Sequence, residues 1–171
     1  MATLDRALHL SDAFSISCGT VTLDLAHEKV LVIRWKKTGE IFLPKGRKNI
    51  GENLEDAALR ETHEETGFRV ALLALPIPTL ATPAAAVDDQ PEDPNVVTEP
   101  VAVSHRFRNN KLKIIFWFVA QGDATATPDS GTQQEGEDFE SIWIDRDQAV
   151  AILTFDDDRS IAQTVIDTVY C

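Results

Sequence analysis

Cysteine is almost missing from this chain: Cys18 and Cys171 are the two thiols in 171 residues. One lies in a β-rich run and the other is the last residue, so they make neither a disulfide framework nor a metal-ligand spacing. Cys18 is expected in the core and Cys171 to be incidental. Long apolar runs are missing too, and none approaches the length that crosses a bilayer. The opening, MATLDRALHLSDAFSIS, has neither the charged head nor the continuous apolar stretch of a secretory signal. A cytoplasmic or nuclear protein is the default expectation, and a leader removed from the chain is compatible with the same start. Positive charge is also short. The net charge is −12, which argues against non-specific binding to nucleic acid or to an anionic membrane. No stable nucleic-acid complex and no membrane association are expected. The length and an ordinary hydrophobic content fit one domain, residues 1–171, with a substantial core.

The scarce cations are not spread evenly. Lys29, Arg34, Lys36, Lys37, Lys45, Arg47 and Lys48 fall in one segment, and Arg106, Arg108, Lys111 and Lys113 in another, beside His105. Singly, each reads as a solvated strand end or turn. Together, with Lys45-Gly46-Arg47-Lys48 running into an acidic helix, they favour a basic rim on an acidic protein. Such a rim steers an anionic small molecule without holding bulk polyanions. The candidate substrate-binding residues are Arg34, Lys36, Lys45, Arg47, Lys48, His105, Arg106 and Arg108.

Strands are expected over 14–25 and 29–35, with Ala26-His27-Glu28 as the turn, then a short one at Ile41-Phe42-Leu43. Residues 68–75 read as another strand. Residues 76–100 hold six of the eight prolines with Ala, Asp and Glu, and read as a long loop within the domain. Two strong strands, 101–108 and 111–120, flank Asn109-Asn110, a hairpin turn. A polar loop over 122–136 precedes a strand at 139–144, where Trp143 is expected to be buried. Asp145 caps a short helix through Leu153. A terminal helix over 160–169 presents Ile161, Val165 and Val169 on one face.

Residues 54–66 lack Gly and Pro and are rich in Ala, Leu and Glu, a helical composition. Asn53 suits its N-cap, and Gly67 the left-handed residue beyond its end. Leu54, Ala57, Ala58 and Thr62 form the expected buried stripe. Glu61, Glu64 and Glu65 stand at i, i+3 and i+4, so their carboxylates converge. Like charges at that spacing repel, and the last turn of a helix disfavours anions. A solvated acidic face is the plain explanation for three glutamates alone. A hard divalent cation resolves the same conflict, because oxygen ligands suit Mg²⁺ or Mn²⁺.

The wider frame is Gly46, five residues, Glu52, seven residues, Arg60-Glu61, two residues, Glu64-Glu65, one residue, then Gly67 and Phe68. Such a pattern arises by chance in roughly one sequence in a million. It resembles the Nudix box, and the chain resembles the Nudix hydrolase family there; Thr62 departs from the bulky aliphatic residue usual in the family. The resemblance implies an α+β Nudix fold, a mixed β-sheet sandwiched between α-helices. It implies a Mg²⁺- or Mn²⁺-dependent hydrolase of phosphoanhydrides in small-molecule polyphosphates. Carried over by position, Glu61, Glu64 and Glu65 are metal ligands, one doubling as base, and the Gly46 carbonyl completes the shell. Glu52 braces the loop or joins a second metal through water, and Arg60 sets a glutamate rotamer. The family often adds an acid before its last strand; Glu135, Glu137 and Glu140 lie in that region, and Glu137 is the choice. His63 is expected to be solvated.

Pro44-Lys45-Gly46 and Arg60-Glu61-Thr62 look like the branch that cleaves diphosphoinositol polyphosphates and diadenosine polyphosphates. Inositol pyrophosphates need charge but no base platform, and they lead. Dinucleoside polyphosphates follow, then RNA caps and ADP-ribose, which would use aromatics among Trp35, Phe107, Phe116, Trp117 and Phe118. A non-catalytic nucleotide-binding module is the rival from another class, although such modules usually lose a box carboxylate.

Overall fold

The computed structural model describes residues 7–82 and 96–171. From Ser17 to Asp24 every residue is buried, as expected of a strand covered on both faces. This run belongs to β1 (Phe14–Asp24), which is followed by β2 (Lys29–Trp35), β3 (Ile41–Phe42), β4 (Lys45–Arg47), α1 (Leu54–Thr66), β5 (Ala71–Leu72), β6 (Ala102–Arg108), β7 (Lys111–Gln121), β8 (Phe139–Asp145), α2 (Arg146–Ile152) and α3 (Asp156–Tyr170). β1 runs parallel to β7 from Phe14↔Leu112 to Leu23↔Gln121. On its other side, β4 pairs antiparallel near the start of β1 and β2 near its end. β8 extends the sheet beyond β2, while β5 and β6 share the far edge of β7.

Alternation along the two central strands sorts their side chains onto two faces. Val21, Leu23, Ile115, Trp117 and Val119 pack with Ala149 and Leu153 of the α2 segment and with Ile161, Ala162 and Val165 of α3. Cys18 and Phe118 pack on Ala57 and Ala58 of α1. A mixed sheet thus lies between α1 on one face and α2 and α3 on the other, the α+β architecture expected.

Helix α1 has the expected bounds and caps. Asn53 Oδ1 accepts the Asp56 N–H at 2.8 Å, and Gly67 sits at φ 78° with its N–H on the His63 carbonyl. Asn109 and Asn110 both have positive φ, which makes the tight β6–β7 turn. Four features depart from expectation. β4 was not foreseen, because Gly46 and the preceding Pro44 mask a three-residue strand. Of the strand expected at 68–75, only Ala71 and Leu72 join the sheet; β6 already occupies the β7 edge as far as Trp117, leaving little beyond it for β5. Asp145 makes no side-chain cap, since its carboxylate is held by Lys29 at 2.7 Å. α3 starts at Asp156, ahead of its apolar stripe, because three aspartates favour the positive end of the helix dipole. Within the expected 76–100 loop, residues 83–95 lie outside the described residues, and Leu75 bridges to Val97.

Thr62 has a specific structural partner. Its hydroxyl donates to the Ala58 carbonyl at 2.8 Å and lies 2.7 Å from the Thr20 hydroxyl, itself 2.8 Å from that of Thr22. Each hydroxyl has one proton, so the relay runs Thr22 to Thr20 to Thr62 to the helix carbonyl. It pins α1 to β1 through buried polar groups. Thr62→Val should therefore cost about 1 kcal/mol by stranding the Thr20 hydroxyl proton. Thr20→Val combined with Thr62→Val should cost less than the sum of the single changes, measured by urea denaturation. Strict additivity would mean that the two hydroxyls do not cooperate.

Candidate active site

The site is built where the segment 43–46 meets the C-terminal half of α1. Three bonds fix this segment. The Leu43 N–H donates to Asp158 Oδ2 at 3.0 Å, the Pro44 carbonyl accepts the Thr20 N–H at 3.2 Å, and the Lys45 N–H donates to Glu65 Oε2 at 2.8 Å. Gly46 then lies so close to the Glu61 carboxylate that any β-carbon would collide with it. A side chain here would displace the Glu61 carboxylate from its place beside Arg60, so glycine serves close approach rather than backbone freedom.

Arg60 organises the acids. Its Nε and Nη2 grip both oxygens of Glu52 at 2.7 and 2.9 Å. Nη1 donates to Glu61 Oε1 at 2.7 Å and to Glu64 Oε2 at 3.0 Å. Nη2 also donates to the Arg47 carbonyl at 3.0 Å. Each of the five guanidinium N–H groups has an acceptor. The Arg60 hydrogen bonds hold the Glu52 carboxyl below its ordinary range, and the carboxylates push the arginine further up.

Glu61 and Glu65 shift in the same direction. Both are almost wholly buried. Burial raises the Glu61 pKa despite Arg60, with repulsion from Glu64 and Glu137 adding to the rise. Burial pushes Glu65 up to about 8, against the pull of Lys45 and its amide, and Glu137 and Glu61 raise it further. One arginine faces three carboxylates while two more stand close by, so the protein's own cations leave an anionic surplus. The donors are carboxylate oxygens. This set fits a hard divalent cation such as Mg²⁺ or Mn²⁺. A second group of metal-capable side chains, Asp24, His27 and Asp123, gathers within 4.8 Å at the β1–β2 turn. There, however, Asp24 already accepts three backbone N–H groups and faces His27 Nδ1, the bonding of a turn clamp.

The loop before β8 is stitched to the same end of α1. Thr132 donates to the Glu64 carbonyl, Gln133 to the Glu65 carbonyl, and Gln134 Nε2 to Glu64 Oε2 at 3.1 Å. Nothing in the sequence singled out these residues, since uncharged polar groups are ordinary in loops. Glu137 lies close enough for its charge to raise both Glu61 and Glu65. Glu135 is exposed, and Glu140 is paired with Arg34. His63 is not freely solvated: its Nε2 lies 2.9 Å from Asp129 Oδ2.

Strand geometry divides the basic candidates. Lys45 and Arg47 alternate with Gly46, which faces α1, and so project from the opposite sheet face. Arg106 and Arg108 share that opposite face. His105 and Lys48 lie on the α1 side, with His105 in register with Ile114. Arg34 is paired with Glu140 and Lys36 with Asp138 at 2.8 Å, both at the β8 edge. Of the aromatics considered, Trp117 and Phe118 are core residues, Phe116 packs toward α1, and Phe107 is exposed on the His105 face.

A NUDIX domain model matches residues 15–165. Among solved structures, the chain is similar to a NUDIX hydrolase from Nitrosomonas europaea, with 16% identity over 90% of this chain and 88% of that one and a TM-score of 0.59. It is similar to an Ap4A hydrolase from C. elegans in a binary complex, with 16% identity over 91% and 97% and a TM-score of 0.61. A NUDIX-family hydrolase from Clostridium perfringens shares 19% identity over 94% and 99%, with a TM-score of 0.59. These likenesses establish the fold.

Glu65 sets a pH test of metal-free stability. Its folded pKa of about 8 lies above its ordinary 4.5, and Glu61 and Asp158 shift the same way. Folded protein therefore binds more protons than unfolded chain in this window, and stability falls as pH rises through it. In EDTA, Tm should be higher near about pH 5.5 than near about pH 8.5. Glu65→Gln, which keeps an acceptor for the Lys45 N–H, should lose much of that fall. Mg²⁺ at the higher pH should raise the wild-type Tm more than the variant's. A pH-independent wild-type Tm would remove the buried protonated Glu65.

Proposed function

Because this chain belongs to the NUDIX domain family and is a hydrolase of pyrophosphate-containing substrates, we propose that it removes the β-phosphate of a diphosphoinositol polyphosphate. The observation that carries the choice is the balance at the site mouth. Lys45 stands near both Glu65 and Lys113, and Arg106 near Lys113, while the large aromatics of β7, Trp117 and Phe118, are withdrawn into the core. Charge without a broad base platform suits an inositol ring crowded with phosphates.

In the reaction, water attacks the terminal phosphorus, the bond to the bridging oxygen breaks, and the water loses a proton. Glu61, Glu64, Glu65 and the Gly46 carbonyl would hold the divalent cation. When bound, that cation supplies charge neutralisation of the diphosphate and a lower pKa for the attacking water. Arg60 holds Glu61 and Glu64 in place. Glu65, a carboxyl of the cluster that Arg60 does not hold, suits the role of proton acceptor. Its other oxygen stays on the Lys45 amide, which fixes the carboxyl plane.

A second reading, hydrolysis of diadenosine polyphosphates, has its own support. Phe42 meets Phe139 edge-on at 5.8 Å, with Trp35 and Phe155 beside them, and the Lys45 ammonium lies 4.7 Å from the Phe42 ring centre. Phe42 itself is buried, so the half-buried rings of Trp35, Phe139 and Phe155 are the aromatic neighbours this cluster offers a base. The similar C. elegans structure is an Ap4A hydrolase.

The deciding assay offers 5-diphosphoinositol pentakisphosphate and diadenosine tetraphosphate at equal concentration with Mg²⁺. Faster phosphate release from the inositol substrate is expected, and Glu64→Gln should lower kcat at least about a hundredfold with Tm retained. Turnover of ADP-ribose or nucleoside triphosphates with none of the inositol substrate would sink the leading reading. Undiminished turnover by the variant would remove Glu64 from the chemistry.

A further inference from the structure

One sheet face gathers polar side chains beside the carboxylate cluster, among them Lys45, whose ammonium lies over the Phe42 ring and whose charge opposes the rise of Glu65. Register places Ser15 of β1 beside Lys113 of β7, and Lys113 beside Arg106 of β6. One step along, Arg47 of β4 is beside Ser17 of β1, and Lys45 follows on the same strand, beside Gly19. Paired residues project from the same face. Ile115 and Trp117, two and four residues beyond Lys113, face the α3 side, so all of these side chains project opposite α1.

Two members have an unusual environment. The Ser17 hydroxyl is fully buried and has no hydrogen-bond partner among the described residues, where such groups are normally paired. Lys113 is half-buried and makes no ion pair among the described residues. Burial, then the charges of Lys45 and Arg106, lowers its pKa to about 8, with Glu65 opposing and Arg47 adding to the fall. Among the described residues, Arg106 is the one of these four cations with a carboxylate partner, Asp157 at 3.3 Å. A chain of net charge −12 has thus gathered cations that repel each other on one sheet face. An unpaired buried hydroxyl lies among them.

We propose that Ser15, Ser17, Lys45, Arg47, Arg106 and Lys113 form a platform that grips phosphates other than the one being cleaved. The inference rests on the reading of the substrate as a molecule with clustered phosphates, and it identifies the residues that select for them. A phosphate there relieves the mutual repulsion of the cations and gives hydroxyl donors an acceptor. Lys113 and Ser17, absent from the motif, become specificity-determining residues. Clustered phosphates can come from an inositol ring or from a nucleotide chain, and the platform recognises what these share.

The test is calorimetric binding in EDTA, which removes the metal and stops hydrolysis. The probes are inositol hexakisphosphate and adenosine 5′-tetraphosphate. At least one should bind, and which one binds identifies the source of the phosphates. Lys113→Met should weaken that binding about tenfold, the loss of one charge-assisted contact, and Lys113→Arg should restore most of it. Ser17→Ala, which adds no volume, should weaken it by a smaller factor. Lys37→Met, which removes an equal charge elsewhere, should leave it unchanged. Melting temperatures report folding independently for each variant. Binding of neither probe, or wild-type binding by both Lys113→Met and Ser17→Ala, overturns the platform. So does an equal loss in Lys37→Met, since net charge alone would then explain the effect. Binding is read without turnover, so an enzyme inactive on both proposed substrates would refute the earlier reading while leaving the platform to be judged by its own result.

Discussion

The site depends on a guanidinium with no donor to spare. Arg60 joins the Glu52 loop, the Arg47 backbone and two α1 glutamates through one rigid planar group. Without it, Glu61 and Glu64 would sit three residues apart on one helix face with nothing to set their rotamers, and repulsion would turn them away from each other. Lysine could not replace it, because a point charge lacks the fork that takes both oxygens of Glu52 while two other carboxylates are held. The arginine nevertheless falls short of neutralising what surrounds it. Glu61 remains shifted upward despite a direct bond to Arg60. The same geometry that orders the acids therefore keeps their demand for positive charge unmet, which is what a cation site requires.

Glu65 completes that logic from the other side. It is as buried as Glu61 but outside the grip of Arg60, and its carboxylate accepts the Lys45 amide. Asp158, entirely buried, holds the Leu43 amide two residues earlier. Pro44 between them has no N–H to give. Two carboxyls from different helices thus clamp alternate amides of one segment. The C-terminal helix bears on the position of Gly46 although it contributes nothing to the motif.

What could be read from sequence followed the range of the interactions. α1, its Asn53 cap and its Gly67 stop were legible because each is decided within a few residues. The hairpin at Asn109-Asn110 was legible for the same reason, as both residues tolerate left-handed backbone. β5 was over-read because its length is set by where β6 ends on β7, a competition no local pattern reports. β4 was overlooked because its partner lies on β1, about thirty residues earlier in the chain. At the site, the convergence of Glu61, Glu64 and Glu65 could be inferred from spacing. Their unequal burial could not, and it is burial that separates Glu65 from Glu64. Gln134 and Thr132 carried no signal, because their role comes from a loop folding back onto the helix.

The basic residues illustrate a further limit. In sequence, Lys45, Arg47 and Lys48 look like one cluster, as do His105, Arg106 and Arg108. A strand reverses its side chains at every residue, so each cluster splits between two faces. Arg47 and Arg106 are far apart in the chain, yet they meet on one face through β1 and β7. Lys48 and Arg47 are adjacent and part. Charge clustering along a strand therefore carries about half the meaning that the same clustering carries on a turn. The alternate residues state which half belongs to a common surface. By that criterion Lys113 belongs with Lys45, Arg47 and Arg106, and it is the member whose burial makes an anionic partner most favourable.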